Sequence, residues 1–212
     1  MIKKSIGTEY RNKLALIINS AKGVITPEKA AEILRVSKQE AGRILSRWNK
    51  QSWVKRIKRG VYIHVDVADT SGELSIKDPW ILANSLFAPG YIGGFSAIKH
   101  WDFSEQIFET TTFLTTKKIS ERQPIIGNAR FLLKTIAMYK VFGTKMIWID
   151  NIRIAVSDPS KTLIDLFDDP SLVGGMRIVQ DVFLEYQKSK YFDIDKLIAY
   201  AEQMRNKTIF KR

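Results

Sequence analysis

Apolar positions in the first 65 residues recur at helical spacing and predict three helices followed by a β-hairpin. A first helix, ending near Gly23, is indicated by apolar residues on one side, namely Leu14, Ile17 and Ile18. Thr26 predicts the start of a second helix, and Pro27 suits its first position because the N–H that proline lacks would have had no partner there. We expect this second helix to end near Arg35–Val36.

The third helix is predicted to begin directly after a short turn, which is the spacing of a helix-turn-helix. Ser37 and Glu40 form a capping-box pattern, in which each side chain satisfies a backbone N–H of the other residue. The i, i+3, i+4, i+7 pattern predicts a buried side made of Ala41, Ile44, Leu45 and Trp48. The opposite side carries Gln39, Arg43, Arg47 and Lys50, with Lys38 beside the N-terminus.

Two β-like runs follow the third helix, Trp53–Ile57 and Val61–Val65, and Lys58–Gly60 joins them as a hairpin. Three helices and a basic hairpin predict a winged helix-turn-helix domain over residues 1–65. The aromatic residues expected in its core are Trp48, Trp53 and Tyr62.

The remainder of the chain predicts a second domain after a linker. Residues 66–77 contain turn formers and few large apolar side chains, which is typical of a linker. Strands are indicated by β-branched and aromatic runs at Thr110–Thr116, Arg130–Ile136, Met146–Ile149 and Ile152–Val156. Helices are expected from Asp78–Pro79 to Pro89–Gly90, at Ser96–Trp101, from Asp158–Pro159 to Asp168, and over roughly residues 172–189 and 193–206. The predicted fold class is α+β, with a winged helix-turn-helix domain followed by a mixed α+β domain over residues 78–212.

Charge points to a polyanionic partner for the first domain. The chain of 212 residues has a formal net charge of +12. Residues 1–65 hold 15 Lys and Arg against 4 Glu, whereas residues 66–212 hold 19 basic and 18 acidic residues. DNA binding requires such an excess, because neutralised phosphates release counterions, but the charge alone also fits a solvated surface, RNA or an anionic membrane. Double-stranded DNA is favoured because Arg43 and Arg47 lie one turn apart on the exposed face of the second helix of the predicted helix-turn-helix.

The predicted DNA-binding residues divide into two roles. The second helix of a helix-turn-helix enters the major groove, where Gln and Arg present bidentate groups to base edges. Gln39 and Arg43 are therefore the preferred base readers, and Arg47 is a further candidate. Phosphate or minor-groove contacts are assigned to Lys38, Lys50, Lys55, Arg56, Lys58 and Arg59.

Composition excludes several other classes of protein. No apolar run approaches the roughly 18 residues of a membrane-spanning helix, and Lys3 and Lys4 are not followed by a signal-peptide core. A cytoplasmic location without membrane contact is the resulting expectation. The chain has no Cys and 2 His, so it predicts neither a thiolate metal site nor a disulfide framework.

The second domain contains no pattern that predicts catalysis. Ser96 and His100 share a helix face without an identifiable acidic partner. Asp158 is expected to cap a helix and Asp168–Asp169 to end one, while Asp165 is either functional or a surface residue. Two glycine pairs, Gly93–Gly94 and Gly174–Gly175, lack a phosphate-binding context and predict turns or close packing. We therefore expect no catalytic residue, metal or cofactor.

Several segments of the chain, in their order and spacing, resemble the AbiEi-type antitoxins of bacterial type IV toxin–antitoxin operons. The similar segments are Trp53–Ile63, Tyr91–His100, Thr110–Thr116 and Ile154–Leu166. The last of these is similar to the Asp-Pro-x-Lys-Thr-Leu-x-Asp segment of the family, which Lys161, Thr162 and Asp165 match. A structural role for these residues, in which Thr162 and Asp165 hold the start of the helix, is an open alternative.

The resemblance implies a repressor whose N-terminal domain binds inverted repeats in its own operon. It also implies that the C-terminal domain counteracts a nucleotidyltransferase-like toxin, an effect described in type IV systems without a stable complex between the two proteins. Two alternatives stay open on the sequence. One is a metal-dependent nuclease that uses Asp165, and the other is a regulator whose C-terminal domain senses a small molecule.

Overall fold

A computed structural model describes residues 8–21, 24–64, 78–106 and 108–212. The described part of the chain is mixed α+β, with eight α-helices and two sheets. It divides into two compact units, the first reaching Ser85 and including Ile126–Asn128, the second comprising Leu86–Ile125 and Ala129–Arg212. The predicted linker over residues 66–77 lies outside the described residues, and the division between the units falls within a helix.

The first unit begins with three helices and a two-stranded antiparallel sheet. Their bounds are α1 Thr8–Ala21, α2 Pro27–Leu34, α3 Lys38–Lys50, β1 Val54–Lys58 and β2 Val61–His64. The predicted helix starts are confirmed, because the Lys29 N–H donates to Thr26 Oγ1 at 3.3 Å and the Glu40 N–H donates to Ser37 Oγ at 3.1 Å. Side-chain caps therefore determine where α2 and α3 begin.

The predicted apolar stripe of α3 forms part of the core of the first unit. Its four members are buried, together with residues of α1, α2 and the hairpin: Leu14, Ile17, Ile25, Ala30, Ala41, Ile44, Leu45, Trp48, Trp53, Val54 and Tyr62. The core position expected for the three aromatic residues is thus confirmed. Ile25 and Tyr62 exchange backbone hydrogen bonds of 2.7 and 2.9 Å, which attach the segment before α2 to β2.

The hairpin is one residue tighter than expected. Lys58 belongs to β1, so the turn consists of Arg59 and Gly60, and Gly60 adopts a left-handed φ of +72° that favours glycine. The register shifts between Arg56 and Lys58, as in a β-bulge. Trp53 lies before β1, and Val65 lies outside the described residues.

A six-stranded mixed sheet organises the second unit. Its strands are β3 Gly90–Ile92, β4 Thr110–Thr115, β5 Ile125–Ile126, β6 Ala129–Thr135, β7 Thr144–Ile149 and β8 Ile152–Ser157, in the order β5-β6-β4-β3-β8-β7. β3 is antiparallel to β4 and parallel to β8, β4 is parallel to β6, and β7 is antiparallel to β8. The central strand β3 was not predicted, because three residues after a proline are too few to show the alternation of apolar and polar residues that indicates a strand.

Five further α-helices follow in the described part of the chain, and the first of them spans the division between the two units. Their bounds are α4 Pro79–Phe87, α5 Gly94–His100, α6 Pro159–Asp168, α7 Met176–Lys188 and α8 Ile194–Gln203. The helix expected from residue 172 begins only at Met176, because Pro170–Val173 is a 3-10 helix and the two glycines after it have φ of +82° and +128°. Asp158 caps α6 as predicted, accepting the Lys161 N–H at 2.8 Å.

The α6 helix is buried on every side, although its sequence predicts only an apolar face. Leu163, Ile164 and Leu166 join the main apolar cluster of the second unit, as expected. The polar residues between them are also buried, namely Ser160, Lys161, Thr162 and Asp165. A helix in this position needs internal partners for each of its polar side chains.

Candidate nucleic-acid interface

The exposed side of α3 carries five of the residues predicted to contact DNA. Lys38, Gln39, Arg43, Arg47 and Lys50 are all exposed, opposite the buried stripe. Arg43 and Arg47 are separated by one helical turn, so their side chains leave the same face of the helix. The helix offers an uninterrupted polar and basic surface with the chemistry to hydrogen-bond base edges and phosphates.

Two of these cations face carboxylates of the first unit. Arg43 Nη1 lies 3.5 Å from Glu40 Oε2, and Lys38 Nζ lies 2.6 Å from Glu28 Oε1. The hydrogen bond from Lys38 lowers the pKa of the Glu28 carboxyl. Solvent and salt screen exposed pairs of this kind, so they contribute little, and a phosphate or base edge can displace the carboxylates.

The hairpin supplies the second group of predicted contacts. Lys55, Arg56 and Arg59 are exposed, and Lys58 lies at the end of β1. The Arg56 N–H donates to Asn49 Oδ1 at 2.8 Å, which joins β1 to the last turn of α3. This side-chain bond was not predicted from the sequence, since it depends on how the hairpin folds back along the helix.

Ser96 and His100 have separate structural environments. Ser96 is buried, and its Oγ accepts the Thr112 N–H at 2.9 Å, so it connects α5 to β4. The exposed His100 ring lies edge-on to Trp101, with ring centroids 4.5 Å apart. The glycine pairs are used for turns and close packing, as expected, and a Cβ on Gly94 would lie 2.7 Å from Thr112 Cγ2.

Asp165 is not a surface residue, which corrects one of the two readings of the sequence. It is 2% exposed, forms an ion pair with Lys161, and accepts a hydrogen bond of 2.9 Å from Tyr91 Oη. Lys161 Nζ also donates to Tyr91 Oη at 2.8 Å. Burial raises the pKa of Asp165 against the opposing effect of Lys161, and burial with Asp165 nearby raises the pKa of Tyr91 well above its ordinary value.

This buried triad was only partly visible in the sequence. Lys161 and Asp165 are four residues apart, which places them on one side of α6. Their third member, Tyr91, lies 70 residues earlier in β3, and only the fold brings it to them. With both Asp165 oxygens engaged by Lys161 and Tyr91, the residue is positioned as a structural centre of the second unit.

Asp158, Asp168 and Asp169 also have protein partners. Asp158 accepts hydrogen bonds from Tyr200 Oη at 3.0 Å and pairs with Lys196 at 2.8 Å. Asp168 pairs with Lys140 at 2.8 Å, and Asp169 pairs with Lys134 at 2.9 Å. These two residues end α6, as predicted, and also bind lysines. Among the described residues, no group of three or more His, Cys, Asp and Glu side chains is arranged to hold a metal ion.

Neither the models of known protein families nor the curated proteins match this sequence. None of the helices in the described ranges is long and apolar enough to cross a membrane.

Proposed function

We propose that the chain is a DNA-binding repressor whose first unit acts as a winged helix-turn-helix. The observation that carries the proposal is the exposed basic side of α3, backed by a buried apolar stripe and followed by a basic hairpin. A helix of this kind fits the major groove, and the hairpin then lies near the phosphate backbone or the minor groove.

Base reading is assigned to the N-terminal half of α3. Gln39 and Arg43 have planar groups that can each make two hydrogen bonds to adenine or guanine, and Arg47 extends the same face. The cations Lys38, Lys50, Lys55, Arg56, Lys58 and Arg59 are assigned to backbone or minor-groove contacts. In this arrangement Glu40 also orients the Arg43 guanidinium before DNA binds, because the two groups are 3.5 Å apart.

The first test is binding of the full chain to duplex DNA from upstream of its own gene. We expect tighter binding to this DNA than to a scrambled duplex of equal length, measured by fluorescence anisotropy. If about six phosphates are contacted, the logarithm of the affinity falls against the logarithm of the salt concentration with a slope of about −5. Equal affinity for both duplexes would refute the repressor function.

The division of roles is tested with two arginine variants. Arg43→Ala should weaken binding to the preferred duplex by about tenfold or more and leave binding to scrambled DNA nearly unchanged. Arg59→Ala should weaken binding to both duplexes and reduce the salt slope by about 1. Lys29→Ala is the matched control, because Lys29 is an exposed cation of the same unit on α2. Equal effects of the two arginine variants on both duplexes would contradict the division.

The Asn49 bond to the hairpin is tested separately. Asn49→Ala removes the acceptor of the Arg56 N–H and leaves every predicted DNA contact in place. We expect it to lower the affinity for all duplexes while the circular dichroism of the helices is retained. An unchanged affinity would mean that the hairpin needs no such attachment to bind DNA.

We further propose that the second unit counteracts a nucleotidyltransferase-like toxin, as the similarity to AbiEi-type antitoxins implies. A gene for such a toxin should lie next to the gene for this chain, and co-expression should restore the growth of cells that make the toxin. A double variant, Arg43→Ala with Arg59→Ala, should lose repression and keep this rescue. Toxicity unchanged by the intact chain would refute the antitoxin role.

A further inference from the structure

The second unit contains a cavity of about 570 Å³ at the beginning of the parallel strands β4 and β6. The register places Thr110 beside Arg130 and Thr112 beside Leu132, and the alternation of side chains puts these four residues on one face of the sheet. Threonine side chains are small, and Gly174 in the facing turn has no side chain. The cavity is therefore unfilled for a simple steric reason, and its volume lies within the roughly 300–1,000 Å³ typical of small-molecule sites.

One wall of the cavity is aromatic. Phe95 of α5 and Phe108 before β4 both line it, and their rings are stacked with centroids 3.5 Å apart and planes inclined by 23°. Both rings are only half-buried. A half-buried aromatic wall offers stacking area to a flat ligand.

The rim of the cavity is polar, with one guanidinium group in the lining and a second bonded to a lining residue. Arg130 lines it and is exposed, and Arg122 Nη2 donates to the lining residue Ser171 at 3.1 Å. Glu109 and Gln123 are the exposed acidic and amide groups of the same lining. The rim thus combines a bidentate anion binder with groups that recognise hydroxyls and amide edges.

Thr112 beneath this site has an unusual hydroxyl. Its Oγ1 is fully buried and has no hydrogen-bond partner in the part of the chain that the structure describes. Buried hydroxyls in proteins almost always have a partner, so an unpartnered one in a cavity lining indicates a missing polar group. Thr112 lines the cavity, and a rotation of its side chain would bring the covered hydroxyl to a ligand on the floor.

We propose that this cavity binds a mononucleotide, with the base against Phe108, a base or sugar polar atom toward Thr112, and the phosphate at Arg130 and Arg122. Glu109 faces the ribose hydroxyls in this arrangement, and Gln123 the edge of the base. This inference does not depend on DNA binding by the first unit.

The test is calorimetric titration of the full chain with each of the four common 5′-ribonucleoside monophosphates, with the matching nucleosides and with inorganic phosphate. We expect at least one nucleotide to bind with a dissociation constant below about 1 mM. Arg130→Gln should weaken that binding by about tenfold, the effect of losing a hydrogen bond to a charged group. Arg153→Gln is the matched control, because Arg153 is an exposed arginine on β8 of the same sheet.

A second variant tests the floor of the cavity. Thr112→Val keeps the shape of the side chain and removes only the hydroxyl, so it should weaken nucleotide binding about fivefold and leave the thermal unfolding midpoint unchanged or raised. Thr208→Val is its exposed control.

Four results would overturn the proposal. They are no heat from any of the four nucleotides, equal binding by the Arg130 and Arg153 variants, equal affinity for inorganic phosphate alone, and a loss of nucleotide binding in Arg43→Ala. The last result would place the nucleotide on the proposed DNA surface. Binding that survives Arg43→Ala but not Arg130→Gln supports the cavity, whether or not the chain prefers DNA from its own operon.

Discussion

The buried pair of Lys161 and Asp165 offers a sharp test of how the second unit is held together. Lys161 is fully buried, Asp165 is 2% exposed, and both contact the hydroxyl of Tyr91. Replacing Lys161 with Met keeps an unbranched side chain of similar length and removes the charge. Asp165 then retains only the Tyr91 hydroxyl as a partner in this triad.

The expected loss follows from the burial of both partners. Removing one member of a buried ion pair leaves an uncompensated charge and costs about 3–5 kcal/mol of unfolding free energy. Asp165→Asn should have a similar effect, because it leaves the Lys161 ammonium without its carboxylate. The double variant removes both charges, so it should be more stable than the sum of the single losses predicts, by about 2 kcal/mol or more.

The loss of unfolding free energy in Lys161→Met should also depend on pH. Burial already raises the pKa of Asp165, and loss of the lysine removes an effect that lowers it. At about pH 3 and below the carboxyl is largely protonated in the folded and unfolded states alike, since the ordinary aspartate pKa is about 3.9, so it adds little charge penalty. As the pH rises from there, the unfolded chain ionises first and the variant loses stability by about 1.4 kcal/mol per pH unit.

Urea unfolding followed by circular dichroism measures these differences. Lys188→Met is the matched control, since its side chain is 70% exposed and pairs with Glu185 at 2.8 Å. Loss of such an exposed pair should change the unfolding free energy by less than about 1 kcal/mol. The reasoning is refuted if Lys161→Met costs no more than this control, or if the effects of the two single variants simply add.

Three further changes test other parts of the fold. Ser37→Ala removes the cap of α3 and should lower the unfolding free energy by about 1 kcal/mol in urea titrations, whereas no change would mean that the cap is replaceable. Gly94→Ala should lower the unfolding free energy by about 2 kcal/mol or more, because a Cβ would meet Thr112 at 2.7 Å and the backbone has a φ of +52°. A variant as stable as the original chain would contradict this close packing. Although burial opposes them, hydrogen bonds from Lys140 and Asn206 hold the pKa of Asp168 below its ordinary value. This contribution to stability is present above about pH 4 and is lost as the pH falls. Lys140→Gln should therefore make the unfolding free energy decrease less steeply as the pH falls below about 4, and an unchanged decrease would exclude the pair as its source.

Local patterns determined the elements of the first unit with good accuracy. The starts of α2 and α3 followed from Thr26 and Ser37, because a cap is made between residues three apart and needs no tertiary contact. The buried stripe of α3 followed from helical periodicity, and so did its exposed basic side. The proposed DNA surface could therefore be written down residue by residue from the sequence, although its binding stays a prediction.

The α+β fold class of the second unit could be predicted from the sequence, but the order of its strands in the sheet could not. The runs for β4, β6, β7 and β8 indicated strands, yet their order in the sheet depends on pairings between distant segments. The short β3 is a strand only because β4 and β8 supply its hydrogen bonds on both sides. Periodicity has no access to such pairing, so the mixed sheet with β3 near its centre appears only in three dimensions.

By itself, the sequence determined where the charge lies, where the capped helices begin and which side of α3 faces solvent, because each of these depends on composition or on neighbours within one or two helical turns. Only the tertiary structure decided that Asp165 is buried with Lys161 and Tyr91, and that a cavity remains open between the first residues of β4 and β6 and the turn at Gly174. Burial and cavities are properties of how separated segments pack, and residues some 70 positions apart carry no local signal that they will meet.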